Sequence, residues 1–159
     1  MNTLNPSHKT AGYVIFYLLC ISTGILAGVG VFTFYYARGY SYLTDNPNAC
    51  ANCHVMKPYL DSWQKSSHHN VAVCNDCHTG HTLITKYYVK ARNGYHHSLA
   101  FTLGGFHEPI RITDFNREVL ETNCRFCHQD FVQNIDYLDS HSQRLNCSTC
   151  HFNVGHFKY

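Results

Sequence analysis

Eight of the nine cysteines in this 159-residue chain fall into four pairs with two residues between them, and a histidine follows every pair. The four runs are Cys50-Ala-Asn-Cys53-His54, Cys74-Asn-Asp-Cys77-His78, Cys124-Arg-Phe-Cys127-His128 and Cys147-Ser-Thr-Cys150-His151. C-x-x-C-H is the attachment signature of c-type haem. Two thiols add across the vinyl groups of one porphyrin, and the adjacent imidazole reaches the iron from the same strip of backbone. Zinc is the competing reading, because the spacing from Cys50 to Cys77 is close to that of a zinc ribbon. Zinc, however, needs no histidine after each second cysteine. With 13 His in the chain, four such histidines by chance come to on the order of a few in 100,000, judged on the motif alone. The spacing therefore predicts four covalent haems on Cys50, Cys53, Cys74, Cys77, Cys124, Cys127, Cys147 and Cys150. His54, His78, His128 and His151 are the adjoining candidate iron ligands. Cys20, which has no paired cysteine, reads as a small apolar residue.

The motifs begin at 50, 74, 124 and 147, so intervals of 24, 50 and 23 residues describe two di-haem units of nearly equal length. Ser67-His68 precedes Cys74 with five residues between, and Ser140-His141 precedes Cys147 with the same five. A low-spin haem needs a sixth ligand, usually His or Met. Nine His lie outside the motifs. The repeat favours His68 and His141, with His69 the neighbour most easily confused with the first. His156, five residues past His151, is the third candidate. His81, His96, His97 and His107 read as surface or haem-propionate contacts.

These groups need a scaffold, and composition limits it. A soluble part of about 120 residues is marginal without help, and about 30 residues per macrocycle cannot wrap each haem separately. Stacked haems must themselves form the core, which makes a continuous electron path. The net charge of +2, from 12 Lys+Arg against 10 Asp+Glu, leaves no basic stripe of the kind that binds nucleic acid. No hydrolytic triad or phosphate loop is present.

From Ala11 to Ala37 there is no charged residue, and a helix of that length spans about 40 Å against the ~30 Å of a bilayer's hydrocarbon. Tyr13 and Tyr17 at one end and Tyr35, Tyr36, Tyr40 and Tyr42 at the other resemble interfacial aromatic belts. No small-x-small cleavage site follows the apolar run, so it reads as an uncleaved anchor and not a signal peptide. Gly24 and Gly28 form a GxxxG, which permits close helix contact and hence a homo-oligomer. Lys9 and Arg38 flank the span evenly and leave the charge rule tied. Haem attachment decides the orientation instead, because it takes place outside the bacterial cytoplasmic membrane. The expected organisation is a cytoplasmic 1–10 (with His8 on that side), an anchor over 11–38, and a periplasmic tetrahaem domain over 39–159.

In that domain Pro58 suits a first helical turn leading toward His68, and Phe131, Ile135 and Leu138 repeat at helical spacing. From about Thr82 to Leu103, Leu83, Tyr87, Ala91 and Tyr95 mark one helical face, and Lys86, Lys90, Asn93 and His97 share a polar stripe. Gly104-Gly105 ends that helix. No alternating strand pattern is present, so the fold class is mainly α with long loops.

The single anchor and the four motifs occur with Cys50-Ala-Asn-Cys53-His54-Val55-Met56-Lys57-Pro58, Ser66-Ser67-His68, Lys86-Tyr87-Tyr88-Val89-Lys90-Ala91-Arg92-Asn93-Gly94-Tyr95 and Ala100-Phe101-Thr102-Leu103-Gly104. Together they resemble the NapC/NirT family of membrane-anchored tetrahaem quinol dehydrogenases, over nearly the whole chain. The likeness is strongest to the branch that delivers electrons to periplasmic cytochrome c nitrite reductase. It implies oxidation of menaquinol at the periplasmic face, with the first haem as acceptor. In that branch the Met of C-H-x-Met, here Met56, binds the first iron, whereas the motif itself points to His54. The family helix supplies a Lys, here Lys90, and an Asp beside that haem. Asn93 stands at the Asp position, and an amide cannot accept a quinol proton. His97, one turn on along the stripe, is the alternative acceptor.

Two other function classes compete. An electron-transfer cytochrome without a quinol site would have no use for Lys90 or Met56. A redox or gas sensor calls for an output domain, and only eight residues follow His151.

Overall fold

A computed structural model describes residues 6–138 and 146–157. The chain divides into two compact units, Met1–Tyr40 and Ser41–Tyr159.

The first unit is built on α1 (Pro6–Tyr36). Its stretch Thr10–Tyr36 is long and apolar enough to cross a membrane, and none of it is buried inside the protein. A helix that is apolar on every side suits a hydrocarbon environment better than water. Arg38, at φ 52, breaks the helical run, and a 3-10 turn follows over Gly39–Leu43.

The second unit is helical, with no strand among the described residues. Its helices are α2 (Pro47–Cys50), α3 (Lys57–Trp63), α4 (Cys74–His78), α5 (Leu83–Leu103), α6 (Asp114–Cys127), α7 (Gln129–Leu138) and α8 (Cys147–Cys150). Local chemistry sets most of their ends. Asn46 caps α2 by accepting the amide of Asn48 at 2.9 Å, with proline in the first turn. Asp76 reaches back from α4 to the amide of Val73 at 2.8 Å. Thr82 caps α5 by accepting from the amide of Thr85, and Gly104 ends that helix at φ 75, a conformation that costs glycine little. Thr113 caps α6 in the same way as Thr82 caps α5. Proline does open α3, but the helix stops at Trp63. His68 sits instead in the turn beyond it, a loop closed by the Trp63 Nε1 bond to the carbonyl of Ala72 at 3.2 Å. The helical spacing of Phe131, Ile135 and Leu138 is realised as α7. Ser140 and His141 lie outside the described residues.

The two stripes of α5 face opposite to the usual arrangement. Leu83, Tyr87 and Tyr95 are exposed, while Val89 and Lys90 are buried. The reason is electrostatic: the lysines of the stripe turn inward onto Asp45.

Among the described residues Val89 is the one buried apolar side chain, against six buried polar ones: Ser62, Thr79, Lys90, Glu121, Asn123 and Arg125. Buried polar groups are tolerated when bonded, and several of these act as joints. Asn123 Nδ2 donates to the carbonyls of Cys77 at 2.9 Å and Thr79 at 2.7 Å. Two residues earlier on α6, the Glu121 carboxylate accepts from the amides of Cys147 at 2.6 Å and Ser148 at 3.0 Å and from the Ser148 hydroxyl at 2.5 Å. Arg125, one turn on, stands 3.5 Å from the same carboxylate. The helix that carries the third motif thus holds the end of the second and the start of the fourth.

Candidate functional site

In the second, third and fourth motifs the two cysteines lie three apart within helix, so both face the same side. In the first, Cys50 ends α2 and Cys53 opens the short 3-10 turn over His54–Met56. None of the eight motif cysteines is in a disulfide. No group of three or more His, Cys, Asp or Glu among the described residues converges on one point. The pairs are therefore not merged into the tetrahedral set that structural zinc requires.

Two imidazole pairs bear on haem. The rings of His78 and His156 are 6.1 Å apart and within 10° of parallel. The rings of His68 and His128 are also 6.1 Å apart, at 70°. Two metal–nitrogen bonds of about 2 Å, with roughly 1 Å from each nitrogen to its ring centre, set axial imidazoles about 6 Å apart. Each pair joins a motif histidine to one that the sequence marks as a distal candidate. Burial and the neighbouring His156 push His78 down to about 4, which keeps it neutral and able to act as a ligand. The residues present fit haem on a second count. A chain that buries one apolar side chain among its described residues, with Phe126 62% and Phe152 60% exposed beside the motifs, offers apolar surface for a flat macrocycle to cover. His68, which the repeat favours, lies beside the third motif through His128. His69 packs on Trp63 instead, and His81 stacks on Phe126. His151 is exposed, as is His54, while Met56 is half-buried.

The stripe on α5 divides between two surroundings. Lys90, 6% exposed, donates to the carbonyl of Thr44 at 2.9 Å and to Asp45 Oδ1 at 3.1 Å. Lys86 pairs with the other oxygen of Asp45, and Asn75, inside the second motif, donates to Thr44 O at 3.1 Å and Asp45 Oδ1 at 2.5 Å. The Lys86 bond first, opposed by a little burial and aided by Lys90 and Asn75, lowers Asp45 to about 2. Asn93 and His97 instead line a cavity of about 410 Å³ with Arg92, His96, Thr113 and Asn116, a size that suits a small organic ligand. Within its wall the Asn116 side-chain oxygen is buried without a hydrogen-bond partner. The Tyr42 hydroxyl meets His97 Nδ1 at 2.9 Å. Burial and then His96 lower the His97 pKa, whereas burial, then Cys53 and Cys50, raise that of Tyr42. Segment 42–45 therefore straps the inward face of α5. Asp45 carried no signal in the sequence, since it sits in no motif or periodic run, and Tyr42 was marked only as part of an interfacial aromatic belt.

The profile of the NapC/NirT cytochrome c family, N-terminal region, matches residues 10–159. The chain belongs to the NapC/NirT cytochrome c family. It is 38% identical over 146 residues to the cytochrome c-type protein NrfH of Wolinella succinogenes, covering 84% of this chain and 81% of that one. It is 34% identical over 122 residues to the cytochrome c nitrite reductase subunit NrfH of Nitratidesulfovibrio vulgaris, covering 77% and 74%. A crystal structure of the cytochrome c nitrite reductase NrfHA complex bound to the HQNO inhibitor matches with a TM-score of 0.60 at 30% identity, over 87% of this chain and 90% of that one. As a family cytochrome c, the chain carries covalently bound haem.

Proposed function

We propose that this chain is a membrane-anchored quinol dehydrogenase subunit. It takes electrons from menaquinol and passes them through four covalent haems to a periplasmic partner, cytochrome c nitrite reductase. The observation that carries this reading is the likeness to NrfH, which spans anchor and motifs together and includes the nitrite reductase complex with its inhibitor. The haem domain then lies on the periplasmic side, beyond an anchor formed by α1.

Each haem, when bound, accepts one electron and hands it on. The chain's part is ligation and proton handling. His78 with His156 would hold the second haem and His128 with His68 the third, on their 6.1 Å ring spacings. Met56 is assigned to the first, where His54 is the motif's own candidate. His151 belongs to the fourth, with His141 as its expected distal partner.

Quinol oxidation releases two protons along with two electrons. A Lys ammonium has three N–H donors, and Thr44 and Asp45 take two of those on Lys90. The third is free to hold a quinol oxygen. Asn93 positions the ring or a water from the cavity wall, and His97, whose Nδ1 meets the Tyr42 hydroxyl at 2.9 Å, is the acceptor that the amide of Asn93 cannot be. The test is a purified complex given a menaquinol analogue and then nitrite. Haem reduction that HQNO blocks, followed by reoxidation with nitrite, is the expected result. Haems that dithionite reduces but quinol does not would overturn the quinol reading and leave an electron-transfer subunit.

A further inference from the structure

The residues after the fourth motif make contacts that the electron path does not by itself require. Ser62, buried on α3 at 6% exposure, accepts the amide of Phe157 at 2.6 Å. The Val154 carbonyl faces His68 Nδ1 at 3.2 Å and the Ser67 hydroxyl at 3.4 Å. The Phe157 carbonyl faces His156 Nδ1 at 3.3 Å, and the Tyr59 ring meets that imidazole edge-on at 5.1 Å. A backbone carbonyl can only accept. Hydrogen bonds to these carbonyls need the proton on Nδ1 of each imidazole, and with His68 so protonated the Ser67 hydroxyl, 3.1 Å from the same nitrogen, donates to Val154. Nε2 of each ring then keeps its lone pair for a metal.

We propose that residues 154–157 form a single clasp, anchored on Ser62, that sets the tautomer and orientation of the distal ligands of two different haems. Ser62 is thus a positioning residue that acts through the tail. The proposal rests on the assignment of His68 and His156 as distal ligands, and it goes beyond that assignment by coupling them. The carbonyls that face the two ligands belong to residues 154 and 157, and the amide anchored on Ser62 belongs to the second of them. Slack at the anchor therefore reaches both. A ligating histidine usually gives its second N–H to a carbonyl or carboxylate, and loss of such a partner typically costs 10–100-fold in metal affinity or activity.

The experiment uses the full haem-loaded chain in detergent, with electron paramagnetic resonance of the oxidised form and carbon monoxide binding to the reduced form. His156→Ala tests the ligand assignment and should turn one haem high-spin. Ser62→Ala keeps both histidines, and it should shift two low-spin signals together and speed carbon monoxide binding at least about 10-fold. Ser62→Thr, which retains the hydroxyl, should return both signals to the parent values. Should Ser62→Ala load fewer haems, truncation after His156 provides the second variant, because it removes the anchored amide and leaves both ligands in place. No high-spin haem in His156→Ala overturns the ligand assignment. A high-spin haem there, with parent-like spectra in Ser62→Ala and in the truncation, overturns the clasp alone. A change confined to one low-spin signal in both overturns the coupling.

Discussion

Lys90→Leu separates the chemistry of the quinol site from its architecture. The side chain is 7% exposed and spans from α5 to Thr44 and Asp45, so leucine keeps most of the buried volume and removes the charge. Asp45 is half-exposed and keeps Lys86 and Asn75 as partners. Loss of one such ion pair costs about 1 kcal/mol or less, and the fold should hold. The chemical cost is larger. A donor aimed at an oxygen whose charge changes during reaction is worth about 10²–10³ in rate. Stopped-flow absorbance should therefore find reduction of the haems by a menaquinol analogue slowed by about 100-fold or more, with dithionite reduction and haem content as in the parent. A parent-like quinol rate would remove Lys90 from the site. An equal loss of dithionite-reducible haem would mean that Lys90 acts only by bracing segment 42–45.

The mass of the denatured chain should exceed that of the polypeptide by four haems, and metal lost on denaturation would instead restore the zinc reading. Glu121→Ala leaves the amides of Cys147 and Ser148 without their acceptor. It should destabilise the holoprotein by about 1–3 kcal/mol, read as a lower melting temperature, with Glu121→Gln affected less. Asp45 is held at about 2, below its ordinary 3.8, so its ion pairs stabilise the fold fully above that ordinary value. Their contribution fades as pH falls toward 2, and the gap in melting temperature between parent and Asp45→Asn should close over that acid window.

The chemistry-bearing residues were legible because haem attachment constrains adjacent sequence: two cysteines one turn apart and the next residue a histidine. Periodicity gave α5 to within a residue, from the Thr82 cap to Gly104, because caps and glycine act locally. The inward face of α5 was not legible in the same way. Hydropathy places Leu83 and Tyr87 inside and Lys90 outside, and an acidic residue some 40 positions earlier reverses that. His68 shows the same limit. Its spacing to Cys74 repeats at Cys147, which marks it as a candidate without naming the motif it meets; the fold sets it beside His128. Local repeats report how a segment was built and say nothing of which distant segment it meets.

Two orders of connection run through the haem domain. The polar joints follow the sequence: Asp45, just before the first motif, meets Asn75 in the second, Asn123 binds Cys77 between the second and third, and Glu121 binds Cys147 between the third and fourth. The packing of α2 on α4, α4 on α6 and α6 on α8 repeats that order. The proposed distal ligands cross it. His68, from between the first two motifs, reaches the third, and His156, from beyond the fourth, reaches the second. Joints in chain order keep neighbouring macrocycles adjacent, as a wire from the quinol end requires. Ligands that cross that order tie each macrocycle to a remote segment, so displacing one haem strains contacts on both sides of it. With Val89 the one buried apolar side chain among the described residues, hydrophobic packing of the chain on itself cannot set these positions. Short polar bonds set them instead, each made directly to the backbone or the side chain of a haem-bearing motif.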